Sequence, residues 1–331
     1  MNLFQRILPI LLLSFPIFTL AQTPDKQRLK EYIIPDKGDT VRFYIHTADN
    51  LPKEKVFIYL QGSGDLPMVN GDDAEPCCYN NYPKKLMAEF PKDYAFVYIQ
   101  KVGLPYYSKT LNNYTPSSTF IRRNNVSDRA EVANKVVNFI KKKIYPNAKI
   151  IAVLGHSEGS DVVAKLATLN KNITHICFSA GNATPQIYND ILFTRRQMQE
   201  GKLSASQAQD KIDELMRGYN QVYQNPDSVK DYFNGDTYKW NVAINEPPVE
   251  NLLKLKIPIF ITIGSHDDKV PVETSDLITA EFIRHRKTNL KSKVYLNCNH
   301  NFEEIKEDGT KINHWKEMFF DFINFVEKDF K

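Results

Sequence analysis

The sequence predicts an α/β protein: a mostly parallel central sheet, helices on both faces, and a helical cap insertion. Three observations predict it. Short, nearly continuous apolar runs recur at residues 55–60, 93–100, 150–154, 174–180 and 257–264, the pattern of strands covered on both faces. Segments of helical period lie between them, at 125–143, after residue 158, at about 274–286 and at about 314–330. Residues 182–250 break the alternation, since they hold no convincing core strand.

Taken in order, residues 22–38 are polar and are expected to form an exposed lead-in. Residues 39–47 alternate, with Val41, Phe43 and Ile45 on one face. The 55–60 run ends in Gln61-Gly62-Ser63-Gly64, and residues 65–82 form a loop rich in Asp, Gly, Pro and Cys. A short helix is expected at 84–90. Residues 102–123 form a long loop whose Tyr106, Tyr107, Tyr114 and Phe120 either line a cleft or pack at an edge. Asn125 and Ser127 are candidate N-caps for a helix striped by Ala130, Ala133, Val136, Val137 and Ile140. Within 182–250, a Ser204-x-x-Gln207 capping box opens a helix through residue 224, with Ile212, Leu215, Met216, Tyr219, Val222 and Tyr223 on one face. The last strand is expected at 293–298.

Composition narrows the function classes. The chain has 331 residues, 42% hydrophobic and 25% charged, with a formal charge of +4, which suits one large or two small domains. Basic residues are interspersed with acids, and Lys141 to Lys143 reads as a solvated helix end, so nucleic-acid binding is not indicated. Arg6 followed by an apolar stretch from Ile7 to Leu20 and by Ala21 reads as a signal peptide, residues 1–21. Export to the periplasm or the exterior is the expectation, with no stable membrane anchor. Cys177 and Cys298 are expected in buried strands as packing thiols, and the pairing of Cys77 and Cys78 stays open. No cysteine or histidine spacing suggests a metal, and no cofactor is called for.

Residues 149–168 carry the chemistry. An apolar strand meets Gly155-His156-Ser157-Glu158-Gly159, and an amphipathic helix follows. This is G-x-S-x-G in a strand–turn–helix context. Ser157 would sit at the tip of a strained turn, and the flanking glycines would let strand and helix approach. The Glu158 N–H would be aimed where an oxyanion forms. An earlier glycine-rich turn, Gln61 to Gly64, offers Ser63 N–H as the second donor, or is a plain turn. Later turns hold Ser265-His266-Asp267-Asp268-Lys269-Val270-Pro271 and Asn299-His300-Asn301-Phe302. The order Ser…Asp…His is the one expected on such a sheet.

With GHSEG, GSHDDKVP and NHNF each placed after a strand, the chain resembles the α/β-hydrolase family, most closely its dienelactone-hydrolase and esterase–peptidase-like branches. The likeness covers most of residues 40–331. It implies a catalytic triad of Ser157, Asp267 and His300, with Asp268 as a second candidate for the acid. It also implies an oxyanion hole from the backbone N–H groups of Ser63 and Glu158. Gln61 stands where the family's oxyanion turn often has His. The implied activity is cleavage of an ester or thioester through an acyl-enzyme, on a small-molecule or peptide-like acyl substrate. A peptidase or amidase of the same fold is the alternative, and a non-catalytic binding protein a more distant one. His266 and His314 read as surface or cap residues, and the side chain of Glu158 as structural or substrate-facing.

Overall fold

The computed structural model describes residues 29–49, 51–70, 84–87, 89–108 and 115–330. The expected signal segment 1–21, Cys77, Cys78 and Tyr114 lie outside these residues. Eight strands form one sheet: β1 (Leu29–Asp36), β2 (Asp39–His46), β3 (Lys55–Leu60), β4 (Tyr94–Ile99), β5 (Ile150–His156), β6 (His175–Ser179), β7 (Ile259–Gly264) and β8 (Leu290–Tyr295). Their order across the sheet is β1-β2-β4-β3-β5-β6-β7-β8. Only β1 and β2 introduce antiparallel pairings; from β4 to β8 every pairing is parallel. The chain moves from β3 to one side for β4, then returns to the other side for β5. The order therefore reverses beside β3 and β5, and ligands of parallel sheets bind at such a reversal, outside the carboxyl ends of the strands.

Alternate strand residues feed two cores. On one face, Val56, Ile58, Ile151, Val153, Ile176 and Ile261 meet two long helices, α2 (Val126–Phe139) and α3 (Glu158–Leu169), through Ala133, Val136, Val162 and Leu166. The short α1 (Ser118–Arg123) precedes α2. On the other face, Phe57, Tyr59, Phe96, Leu154 and Phe260 meet the last helix through Phe319, Phe322 and Val326. Between β6 and β7 run α4 (Gln186–Gln199), α5 (Ala205–Gln224), α6 (Tyr238–Ile244) and α7 (Pro248–Lys254); α8 (Val272–Arg284) follows β7, and α9 (Trp315–Phe330) closes the chain.

Several elements differ from expectation. Residues 29–36 are not a lead-in but an edge strand, turned back on β2 through Lys37 and Gly38, both at positive φ (52° and 81°). Its alternation is weak because one face meets solvent, and Pro35 is tolerated because the strand lies at an edge. The last strand runs three residues earlier than expected, since pairing with β7 begins at Ile259↔Leu290 and ends at Gly264↔Tyr295. Asn297 then turns with φ 60°, so Cys298 is buried in the loop rather than in a strand. Both Cys177 and Cys298 are free thiols. Part of the expected 102–123 loop is α1, and Phe120 is buried in it, while Tyr106 lies against the Tyr44 ring at 5.1 Å. Asn125, not Ser127, caps α2 by accepting from the Asp128 N–H. In α5 the capping box forms, but Met216 and Tyr223 are exposed, because only a narrow stripe of Ile212, Tyr219 and Val222 is covered.

Candidate active site

The site is built at the carboxyl ends of β3, β5, β7 and β8. β5 ends at His156, and Ser157 follows with φ 55° and ψ −129°, a conformation an L-residue rarely adopts. Its N–H donates to the Ser179 carbonyl (2.9 Å), and its carbonyl accepts from the Ser160 N–H (2.8 Å) and hydroxyl (2.6 Å). These bonds hold the strained turn from strand and helix together. A Cβ on Gly155 would lie 2.0 Å from the Gly159 carbonyl oxygen, and one on Gly159 would lie 2.2 Å from the Leu60 carbonyl oxygen. The two glycines thus let helix α3 close on β5 and on the end of β3. Glu158 is the first residue of that helix, where N–H groups lack intrahelical partners.

The turn after β3 arrives beside this elbow. A Cβ built on Gly62 would stand 3.0 Å from Ser157 Cβ and 3.5 Å from its Oγ. The Gln61 side chain points away, donating to the Tyr98 hydroxyl and the Ile99 carbonyl, both at 3.3 Å. Gln61 is 2% exposed, and its amide is engaged by β4.

Asp267 and His300 are brought together from the turns after β7 and β8. His300 Nδ1 lies 3.0 and 2.9 Å from the two Asp267 carboxylate oxygens. A carboxylate only accepts, so Nδ1 carries the proton and Nε2 is left with a free lone pair. Asp267 is 2% exposed and also accepts from the N–H groups of Lys269 (2.9 Å) and Val270 (2.8 Å), which fix its orientation. Asp268 is exposed and pairs with Lys269 at 3.3 Å, so it is not the carboxylate facing the imidazole. The His300 ring stands 5.0 Å from the His156 ring, which in turn meets the Trp315 ring at 4.7 Å. Burial, and then the neighbouring His300, push His156 well below the usual imidazole range, so it stays neutral. His266 is exposed, and His314 lies between Glu317 (2.8 Å) and Glu304 (3.4 Å).

A cluster of charges lies behind the turn after β3. Arg129 on α2 donates to Glu158 Oε1 (2.7 Å), to the Gly62 carbonyl (3.4 Å) and to the Gln61 carbonyl. Trp240 on α6 donates its indole N–H to Glu158 Oε2 (3.3 Å). Lys101, buried after β4, donates to the Gly64 carbonyl (2.6 Å). Burial pushes the Glu158 carboxyl up, but Arg129, Lys101 and Trp240 hold it below the usual carboxylate range. Asp236 is pushed up to about 6 by burial and by Glu158. Asp161, one turn along α3, is pushed well above its usual range by burial and by Glu158, and its Oδ1 has no hydrogen-bond partner. Sequence reading missed Arg129, Lys101, Trp240 and Asp236. Arg129 had a usable signal, since it extends the Ala133–Val136–Ile140 stripe by one turn and so places a charge on a buried face.

No family model matches the chain, and no curated protein matches it. Solved structures do. Est1E from Butyrivibrio proteoclasticus with ferulic acid bound has a TM-score of 0.55 at 14% identity, over 91% of this chain and 100% of that one. The Pyrococcus furiosus esterase has a TM-score of 0.53 at 16% identity, over 91% and 93%. The fold is that of the α/β-hydrolases. The Pyrococcus horikoshii acylaminoacyl peptidase has a TM-score of 0.56 at 14% identity, over 90% of this chain but 41% of that one, so the chain spans about two fifths of the peptidase.

Proposed function

We propose that the protein is an exported serine hydrolase that cleaves an ester, or a thioester, through an acyl-enzyme. The observation that carries the reading is the buried Asp267–His300 pair, whose imidazole stands 5.0 Å from the ring of His156, the neighbour in the chain of the strained Ser157 at the reversal point of the sheet. Ser157 Oγ attacks the substrate carbonyl carbon while His300 Nε2 takes its proton. The tetrahedral oxyanion is held by the Ser63 and Glu158 N–H groups, and one such donor contributes about 3–4 kcal/mol. Asp267 fixes the tautomer and stabilises the imidazolium. His300 then protonates the leaving group, and water, activated by the same imidazole, releases the acid and restores Ser157.

The Trp240 bond to Glu158 supports reading the α4–α6 segment, within about 182–250, as a cap over this site. Likeness to both an esterase and an acylaminoacyl peptidase keeps amide cleavage as the second reading. A serine-reactive fluorophosphonate should label the wild type and not Ser157→Ala. A panel of aryl esters, acyl thioesters and aminoacyl amides then ranks the substrates; turnover that persists in Ser157→Ala sinks the mechanism. Export rests on the 1–21 segment, and the mature protein is expected to begin at Gln22. N-terminal sequencing that finds Met1 on the mature protein rejects it.

A further inference from the structure

The two proposed oxyanion donors come from different parts of the chain, one from the turn after β3 and one from the start of α3. Their spacing must be held to a fraction of an ångström for both to meet one oxygen. We propose that Arg129 is the residue that sets this spacing: its guanidinium clamps the β3 turn to the elbow, and Glu158 is the other jaw. The inference rests on the serine-hydrolase reading and deepens it.

The geometry has three parts. The Gly62 carbonyl and the Ser63 N–H belong to one planar peptide unit. Arg129 Nη1 donates to that carbonyl at 3.4 Å, so the cation sits at the oxygen end of the unit whose nitrogen end is the proposed donor. It thereby orients the Ser63 N–H and draws electron density away from it. The second guanidinium nitrogen holds the Gln61 carbonyl, which fixes the preceding unit as well. From Nη1, Arg129 also donates to Glu158 Oε1 at 2.7 Å. Glu158 supplies the second donor from its backbone, so the ion pair joins the two donor residues through a single planar group.

The pair is buried, with side-chain exposures of 9% for Arg129 and 3% for Glu158, so solvent does not loosen it. A planar fork is needed here, because one group must serve two carbonyls and a carboxylate at once. The remaining Glu158 oxygen accepts from Trp240, and Lys101 secures the far end of the turn at the Gly64 carbonyl. Arg129 touches no reacting atom in this scheme; it is a positioning residue.

The test uses the full-length mature protein and p-nitrophenyl acetate as the ester. Arg129→Met strands the Glu158 carboxylate, so the deciding protein is the double variant Arg129→Met with Glu158→Gln, which removes both charges and keeps the Glu158 backbone donor. Its kcat is expected to fall about tenfold to a hundredfold, with KM moving less than about threefold. An aryl trifluoromethyl ketone, which adds to the serine to form a stable oxyanion, should lose affinity by the same factor as kcat/KM. Arg129→Lys should recover only part of the loss. A double variant with kcat within about twofold of wild type overturns the clamp. So does a fall in turnover with unchanged ketone affinity, because the oxyanion site would then be intact. If the wild type takes no fluorophosphonate at Ser157, the hydrolase reading fails and the clamp falls with it.

Discussion

Lys101 is a lysine that keeps only 6% of its surface exposed. Burial, and then the Arg129 charge, push its ammonium down to about 7, against the pull of Glu158, Asp65 and Asp236. In the unfolded chain a lysine releases its proton near pH 10.4. Between those values the unfolded state holds a proton that the folded state has lost, so stability from this group rises with pH across about 7 to 10. Lys101→Met removes the titration. The unfolding free energy of the wild type minus that of the variant should therefore climb between about pH 7 and pH 9.5, as measured by urea denaturation. A difference that stays flat with pH rejects this account. The residues that sequence reading proposes, Ser157, Asp267 and His300, are each marked by a motif or a turn. Lys101 and Asp236 carry no such mark, because what makes them unusual is burial by segments distant in the chain.

Helix α9 shows how an element can be clear in sequence while its partners are not. Its near-continuous apolar run, Met318 to Val326 with breaks at Asp321 and Asn324, announces a deeply covered helix. Which strands it covers follows only from the sheet order. Phe319 stacks with Phe57 at 5.8 Å and meets Tyr59 at 5.6 Å and Trp315 at 5.5 Å, so it is a keystone of the second core. Phe319→Ala should cost about 3–5 kcal/mol, since the void lies among rigid rings that cannot collapse into it. Denaturant unfolding checks this, and a loss under about 1.5 kcal/mol would mean the ring is dispensable there. Strand limits were less legible than helix existence. The last strand slipped by three residues because Leu296 extends the apolar pattern past the end of pairing, although its side chain is 73% exposed. Strand β1 was missed because half of its residues face water.

At the scale of the whole molecule, strands β3 to β7 were readable because each is an apolar run buried on both faces. The order in which they lie is not written in any one of them. It emerges from crossovers, with β4 inserted between β2 and β3, and it is this order that brings the turns after β3, β5, β7 and β8 to one edge. The segment between β6 and β7 was legible only as helical. It meets the core through Ile244, Leu252 and Leu255 and through ion pairs such as Lys239 with Asp128 (3.2 Å), Lys165 with Glu246 and Arg196 with Glu273 (2.8 Å), and no periodicity encodes those pairings.

The chain has two tryptophans, and both lie against the elbow. Trp240 hydrogen-bonds Glu158 from one side, and Trp315 meets His156 from the other. Nearly all of the protein's intrinsic emission above the tyrosine band therefore arises from rings that touch the two residues flanking Ser157. If Ser157 forms the proposed acyl-enzyme, the surroundings of both indoles should change on acylation without any added label. In an unfolding experiment the same two rings report the melting of this edge of the sheet, while the tyrosines, spread from Tyr32 to Tyr295, report the rest.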